Sequence, residues 1–277
     1  MSEPIRLTLA YPNEKQQRFL ECTAKYIAFG GARGGGKSWA VRTKAILLAL
    51  GYAGIRLLIV RRTYQELESN HIRILRPQLA QVAEYKATTR TFTFLNGSTL
   101  EFGYCASDGD MDRYQGTEYD VIFLDECTQL REQWMRQFAA CLRGVNDFPK
   151  RIYYTCNPGG PGHSYIKRLF IDRRFEPGEN PDDYVFIPAR VTDNKALLAA
   201  QPDYLKQLEA LPRRLRQAWL EGRGDIFQGQ VFSEFTDDPT HYADRRFTHV
   251  IPAFDIPREW RVYRSYDFGY AKPFSCG

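Results

Sequence analysis

The stretch GGARGGGKSWAVR, residues 30–42, holds four residues at a spacing suited to holding phosphate. Gly31, Gly36, Lys37 and Ser38 fit the P-loop pattern G-x-x-x-x-G-K-[ST]. Glycine permits backbone torsions that curl amide groups around an anion, so the run Gly31, Ala32, Arg33, Gly34, Gly35, Gly36 can cradle phosphates. A helix starting at Lys37 adds the positive end of its dipole. Lys37 then neutralises the β/γ oxygens, Ser38 ligates Mg²⁺, and Trp39 follows on the first turn of the same nucleotide-binding run. The ligand this predicts is ATP with Mg²⁺.

A second pair supplies the chemistry that a passive binder lacks. Asp125 and Glu126 follow four apolar residues, Val121 to Leu124, which is the Walker B arrangement. Asp125 is expected to hold Mg²⁺ and Glu126 to polarise the attacking water. The second acid separates a hydrolase from a kinase or an assembly protein that only binds nucleotide. In YPNEKQQRFLE, Gln16 or Gln17 is a candidate to read an adenine edge, with Tyr11 or Pro12 against the ring. An ordinary helix start after Pro12 explains the same residues. Arg33 lies inside the loop and is a candidate phosphate contact. Thr155 and Asn157, in TCNPGG, end a strand beside Walker B, where a polar residue can sense the γ-phosphate.

These residues need strands to aim them. Tyr26 to Phe29 is β-prone, and Lys37 to Leu50 contains no Gly or Pro and reads as a helix. IRLLIVRR (55–62), DVIFLDE (120–126) and RIYYTCN (151–157) read as buried strands. TFTFLNGSTLEFGY (91–104) alternates on both sides of Asn96-Gly97 and predicts a hairpin. HIRILRPQLAQVAEY (71–85) predicts a helix kinked or restarted near Pro77. Strands alternating with helices give an α/β fold with a mostly parallel sheet covered on both faces. From about residue 193 the chain reads as short helices punctuated by Pro202 and Pro212, with Leu205, Leu208 and Leu211 on one face. GDIFQGQVFSEF returns to strand, residues 239–257 read as a linker, and WRVYRSYDFGY (260–270) is a last strand.

Composition closes off other classes. The chain has 277 residues, 43% hydrophobic and 26% charged, as globular proteins do. A formal net charge of +5 is too mild to argue for nucleic acid by itself. The opening residues form no signal peptide, and AILLAL and VIFL are far too short to span a bilayer. Six cysteines form no C-x-x-C pair and no zinc spacing, so reduced thiols are expected.

In this order the motifs resemble the large terminase subunit of tailed double-stranded DNA bacteriophages. The matching stretches are NEKQQRFL, GGARGGGKS, RYQGTEYDVIFLDE and YYTCNPGGPGHSYIKRLF, with a lid and linker region after residue 190. YRSYDFGYAKP is similar to the first strand of that family's RNase H-like nuclease. The resemblance implies a RecA-like P-loop NTPase of the additional-strand, catalytic-glutamate type. It divides the chain into an ATPase core (1–190), a lid/linker subdomain (191–255) and the start of a nuclease domain (256–277). It implies an ATP-driven motor in the host cytoplasm, threading viral double-stranded DNA into a procapsid through the portal. Its partners would be the small terminase subunit and further copies in a ring. Arg113, in DRYQG, falls where such motors carry a trans arginine finger, with Arg33, Arg143 and Arg151 as competitors. Asp267 is a ligand for the nuclease metal (Mg²⁺ or Mn²⁺), but its acidic partners would lie beyond Gly277, so the chain reads as an ATPase-domain fragment. Helicase-like translocases are the rival. They complete their site with a second domain of the same chain, and DECT differs from their DEAD/DEAH style.

Overall fold

The computed structural model describes residues 7–212, 216, 220, 238–246, 248–261, 263, 266, 267, 275 and 276. The chain divides into two compact units, Met1–Gly229 and Gln230–Gly277.

The first unit opens with α1 (Glu14–Glu21), started by a capping box between Asn13 and Gln16. β1 (Tyr26–Gly31), α2 (Lys37–Gly51) and β2 (Arg56–Arg61) follow, then the short helices α3 (Tyr64–Leu67) and α4 (Arg73–Leu79), joined by a π turn over Glu68–Ile72. Next come β3 (Ala83–Lys86), β4 (Thr91–Phe94), β5 (Thr99–Tyr104), α5 (Asp108–Met111), β6 (Val121–Leu124), α6 (Glu132–Ala140) and β7 (Arg151–Cys156). α7 (His163–Ile166), β8 (Tyr184–Ala189), α8 (Lys195–Ala200) and α9 (Tyr204–Glu209) complete the described part.

Eight strands form one sheet in the order β3-β4-β5-β2-β6-β7-β1-β8. From β5 to β8 every neighbouring pair is parallel; β3, β4 and β5 pair antiparallel. Alternate residues of the central strands enter alternate cores, as a pleat with period two requires. Ile27, Phe29, Leu57, Ile59, Phe123 and Tyr153 pack on one face; Ala28, Leu58, Val60, Ile122, Leu124 and Tyr154 pack on the other. Continuous apolar runs are therefore what these doubly covered strands need. The strands predicted at 26–29, 55–62, 120–126 and 151–157, the Asn96-Gly97 hairpin and the helix after the glycine loop all form, with Gly97 at φ 81° in the turn. Of the strand predicted over 260–270, Tyr266–Asp267 is strand, and residues 262, 264, 265 and 268–270 lie outside the described residues.

One expectation is overturned. The helix foreseen over 71–85 starts upstream and ends early. Thr63 caps it through the amide of Glu66, a T-x-x-E box within TYQE. Pro77 lies inside α4 and ends nothing until Leu79, with the π turn just ahead of that helix. Ala83–Lys86 instead pairs with Thr91–Phe94 as an outer strand, because the hairpin offers backbone partners that local periodicity does not reveal. β8, not foreseen, extends the sheet beyond β1.

In the second unit a 3₁₀ turn, Pro239–His241, is the one element among the described residues of 239–257. β9 (Tyr266–Asp267) pairs antiparallel with β10 (Ser275–Cys276). GDIFQGQVFSEF lies outside the described residues.

Candidate nucleotide site

Four neighbouring parallel strands, β2, β6, β7 and β1, end at the same edge of the sheet, where ligands of open α/β sheets bind. Each delivers a motif there: Arg61 closes β2, Asp125 and Glu126 follow β6, Thr155 is the last residue but one of β7, and the glycine loop follows β1.

The loop is tied from three sides. The Ala32 amide donates to the Ala189 carbonyl (2.9 Å), Asn194 Nδ2 donates to the Gly34 carbonyl (2.7 Å), and Gln16 Nε2 donates to the Gly36 carbonyl (3.2 Å). With the Gly34 and Gly36 carbonyls engaged and the Ala32 amide spent on Ala189, the amide groups from Arg33 onward are the complement an anion can take. Gly36 caps α2 at φ 75°, a left-handed torsion, and brings no side chain to the cap. The torsion favours glycine, and a Cβ there would lie 2.3 Å from Gln16 Nε2 and displace that amide from the loop. Lys37 is buried and bridges the motifs, donating from Nζ to the Ala32 carbonyl (2.6 Å) and to Asn157 Oδ1 (2.8 Å). Burial holds its pKa below the ordinary lysine value.

Asp125, 1% exposed, is surrounded by donors. Arg61 Nε reaches Oδ2 at 2.7 Å, His71 Nε2 reaches the same oxygen at 2.8 Å, and Thr155 Oγ1 donates to Oδ1 at 2.5 Å. Burial alone would push this carboxyl up. The His71 hydrogen bond, the Arg61 charge and the Thr155 hydroxyl outweigh burial and hold it below the usual carboxylate range. His71 is wholly buried and its Nδ1 has no partner, so the neutral ring with its proton on Nε2 fits the site. Its pKa is lowered, chiefly by burial. Among the described residues Arg61 is the permanently charged side chain in contact with Asp125.

Glu126 takes a left-handed backbone, φ 53° and ψ 43°, which is unusual for a residue with a Cβ. Its amide donates to Thr155 Oγ1 (2.9 Å), and Arg61 Nη2 stands 3.2 Å from its Oε1. The adjoining cleft, about 620 Å³, is lined by the loop from Arg33 to Trp39, by Arg42, Arg61, Glu66 and Tyr204, and by Asp125, Glu126, Thr155 and Asn157. Ser38 Oγ lies 3.4 Å from Asp125 Oδ2, giving two hard oxygen donors side by side. No group of three or more His, Cys, Asp or Glu able to hold a metal occurs among the described residues. A hydroxyl and a carboxylate oxygen are ligand types that Mg²⁺ takes, alongside phosphate oxygens and water.

Residues 28–235, more than half of the chain, match the family model described as "Terminase large subunit, T4likevirus-type, N-terminal". The chain belongs to this family. The fold is similar to that of the large terminase from a thermophilic bacteriophage in complex with ADP, with a TM-score of 0.63 at 20% identity over 96% of this chain and 64% of that one. The same protein in complex with ATP-γ-S matches with a TM-score of 0.63 at 20% identity, over 96% of this chain and 63% of that one. The chain therefore spans just under two thirds of the length of these large terminases. The large terminase ATPase domain of Thermus phage P74-26 matches with a TM-score of 0.57 at 17% identity, over 77% of this chain and 94% of that domain. No curated protein sequence matches. The fold is the α/β P-loop NTPase fold, with a mostly parallel sheet.

Within this terminase fold the cleft gathers Arg33, Gly34, Gly35, Gly36, Lys37, Ser38, Trp39, Asp125, Glu126, Thr155 and Asn157. Gln16 is buried beside the loop, but both ends of its amide are engaged, since Oε1 accepts from the Asn13 amide (2.9 Å). Gln17 points elsewhere, to Glu21 on the same helix (2.8 Å), and Tyr11 is fully exposed. Arg113 is not in the cleft: it pairs with Asp110 (2.6 Å) and lies 4.1 Å from the Tyr104 ring centre. Arg143 pairs with Glu118 (3.5 Å), and Arg151 starts β7, at the opposite end of the strand from Thr155. The Asp267 side chain lies outside the described residues. Cys22, Cys105, Cys127, Cys141 and Cys156 are free thiols, as expected. No described helix is long and apolar enough to cross a membrane.

Arg61, His71, Asn194 and Tyr204 were not foreseen. Arg61 had a signal: a charged residue closing the buried run LLIV has to find a partner. Asn194 had a weaker one, as an N-cap before KALLAA.

Proposed function

We propose that the chain hydrolyses ATP with Mg²⁺ as the motor portion of a large terminase, driving viral double-stranded DNA into a procapsid. The observation that carries the reading is one cleft uniting the Lys37 ammonium, the Ser38 hydroxyl and the paired carboxylates Asp125 and Glu126. Family membership, and a fold shared with a terminase bound to ADP and to ATP-γ-S, support it.

In this reading the glycine loop and the start of α2 bind the phosphates, and Lys37 neutralises the β/γ oxygens. Ser38 and Asp125 hold Mg²⁺, which when bound offsets charge on the phosphate oxygens. Glu126 orients a water and takes its proton as oxygen attacks the γ-phosphorus and the bond to the β-phosphate oxygen breaks. Asn157, bonded to Lys37, and Thr155, bonded to Asp125, are assigned to sensing the γ-phosphate. Arg113, outside its own cleft, is assigned to a neighbouring subunit in a ring. The portal, the small terminase subunit and the host cytoplasm follow from the same reading. Nuclease activity, with Asp267 as a metal ligand, is assigned to the longer family protein.

The test is ATP turnover with and without DNA and procapsids. Glu126→Gln should bind ATP–Mg²⁺ yet turn over at least ~100-fold more slowly, and Lys37→Ala should be inactive. Near-normal turnover in Glu126→Gln would sink the assignment. Turnover stimulated by DNA alone, indifferent to procapsids, would favour a helicase-like translocase.

A further inference from the structure

We propose that Arg61 is the positioning residue for both acidic side chains: one guanidinium sets the direction of the Glu126 carboxylate while it compensates Asp125. The inference rests on reading Glu126 as the residue that activates water.

Three observations meet at this side chain. Arg61 closes β2, whose Val60 stands in register with Leu124 of β6, so the two strands bring Arg61 and Asp125 to the sheet edge together. Its fork is divided, Nε to Asp125 Oδ2 at 2.7 Å and Nη2 to Glu126 Oε1 at 3.2 Å, and its side chain is only 5% exposed. A planar guanidinium fixes the angle between two acceptors, which an ammonium cannot do. Glu126, by contrast, has a 38% exposed side chain on a left-handed residue at a strand-to-turn corner. Thr155 holds its amide, but Arg61 is the group that holds its carboxylate.

The charge pattern supports the same assignment. Asp125 is buried, and among the described residues Arg61 is the one arginine or lysine that forms an ion pair with it. Arg42, also on the cleft, is drawn away to the Asn70 carbonyl. Lys37 is engaged with Ala32 and Asn157. The two carboxylates therefore share one cation, and a change at Arg61 is felt by both.

The measurement is a cycle of Arg61→Gln and Arg61→Lys, each made in the wild-type chain and in the Glu126→Gln background. It reads kcat, KM and equilibrium affinity for a fluorescent ATP analogue with Mg²⁺, with folding checked by circular dichroism. Misdirecting a catalytic group by about 1 Å costs roughly 100-fold, so Arg61→Gln should lower kcat by about that factor. Nucleotide affinity should stay within about threefold, since Arg61 is assigned to the acids and not to the phosphates. Arg61→Lys should fall between, keeping charge and losing the fork. In the Glu126→Gln background, Arg61→Gln should cost kcat less than about threefold further, because the part of its role that sets turnover passes through the Glu126 carboxylate, while its contact with Asp125 is read in the folding check. A kcat for Arg61→Gln near wild type, or a full further loss on top of Glu126→Gln, overturns the proposal and leaves the hydrolase reading intact. Should Arg61→Gln fail to fold, the Arg61→Lys cycle carries the same comparison. A Glu126→Gln variant as fast as wild type removes the general-base reading and the positioning role together.

Discussion

Thr155→Val removes a single hydroxyl and tests how the acidic pair is held. Thr155 is 1% exposed, and its Oγ1 works in both directions. It donates to Asp125 Oδ1 at 2.5 Å and accepts the Glu126 amide at 2.9 Å. Valine keeps the shape and loses both bonds. A hydrogen bond to a charged group contributes about 1.5–3 kcal/mol, and a buried amide left unpaired costs about 1–3 kcal/mol. The two effects overlap, so a loss of about 3 kcal/mol is expected. For a unit of this size that lowers Tm by roughly 6–12 °C. The left-handed backbone of Glu126, which costs about 1–2 kcal/mol, then loses the bond that fixes its amide, and kcat should fall as well. Thr155→Ser is the control, since it restores the hydroxyl and should recover most of both quantities. Thermal unfolding and ATP turnover are read on all three proteins. A Thr155→Val variant as stable and active as wild type would refute this account of the corner.

Gly36→Ala places a Cβ 2.3 Å from Gln16 Nε2 at φ 75°, so affinity for a fluorescent ATP analogue should drop at least about tenfold; unchanged affinity would show that the loop does not need this torsion. Lys44, buried and donating to the Leu20 carbonyl at the end of α1, is lowered by burial from 10.5 to about 8. The unfolded chain then binds more protons between about pH 8 and 10.5. Stability should rise across that window, and the cost, about 2 kcal/mol once solvent screening is allowed for, is fully present below it. Lys44→Met should flatten the rise in thermal unfolding, whereas parallel profiles for the two proteins would exclude Lys44 as its source. Mixing Arg113→Ala with Glu126→Gln subunits under assembling conditions should recover activity, because a trans arginine can contribute roughly 10³–10⁵ in rate; folded, assembled mixtures without recovery count against that role.

What was legible in the sequence divides along a physical line. A residue whose role depends on its own neighbours announces itself. Lys37 and Ser38 follow a glycine loop that only a strand-to-helix turn can use, and Asp125 and Glu126 follow an apolar run that must be buried. The hairpin at Asn96-Gly97 is legible for the same reason, since turn torsions are local. His71 gives no such sign, because its meaning depends on meeting Asp125 from a π turn between two short helices, and nothing in ESNHI encodes that meeting. β3 and β8 are illegible in kind: an outer strand exists because a neighbour offers a ladder, and the misplaced helix over 71–85 followed from reading a local period where pairing decided. Gln16 shows the two regimes in one residue. Its capping box with Asn13 is a four-residue pattern, while its bond to the Gly36 carbonyl spans the distance between α1 and the glycine loop. That bond gives the "adenine" glutamine a mechanical function. It couples the placement of α1 to the loop at Gly36, while the second N–H of the same amide leaves Gln16 a donor to offer a ligand without giving up that bond.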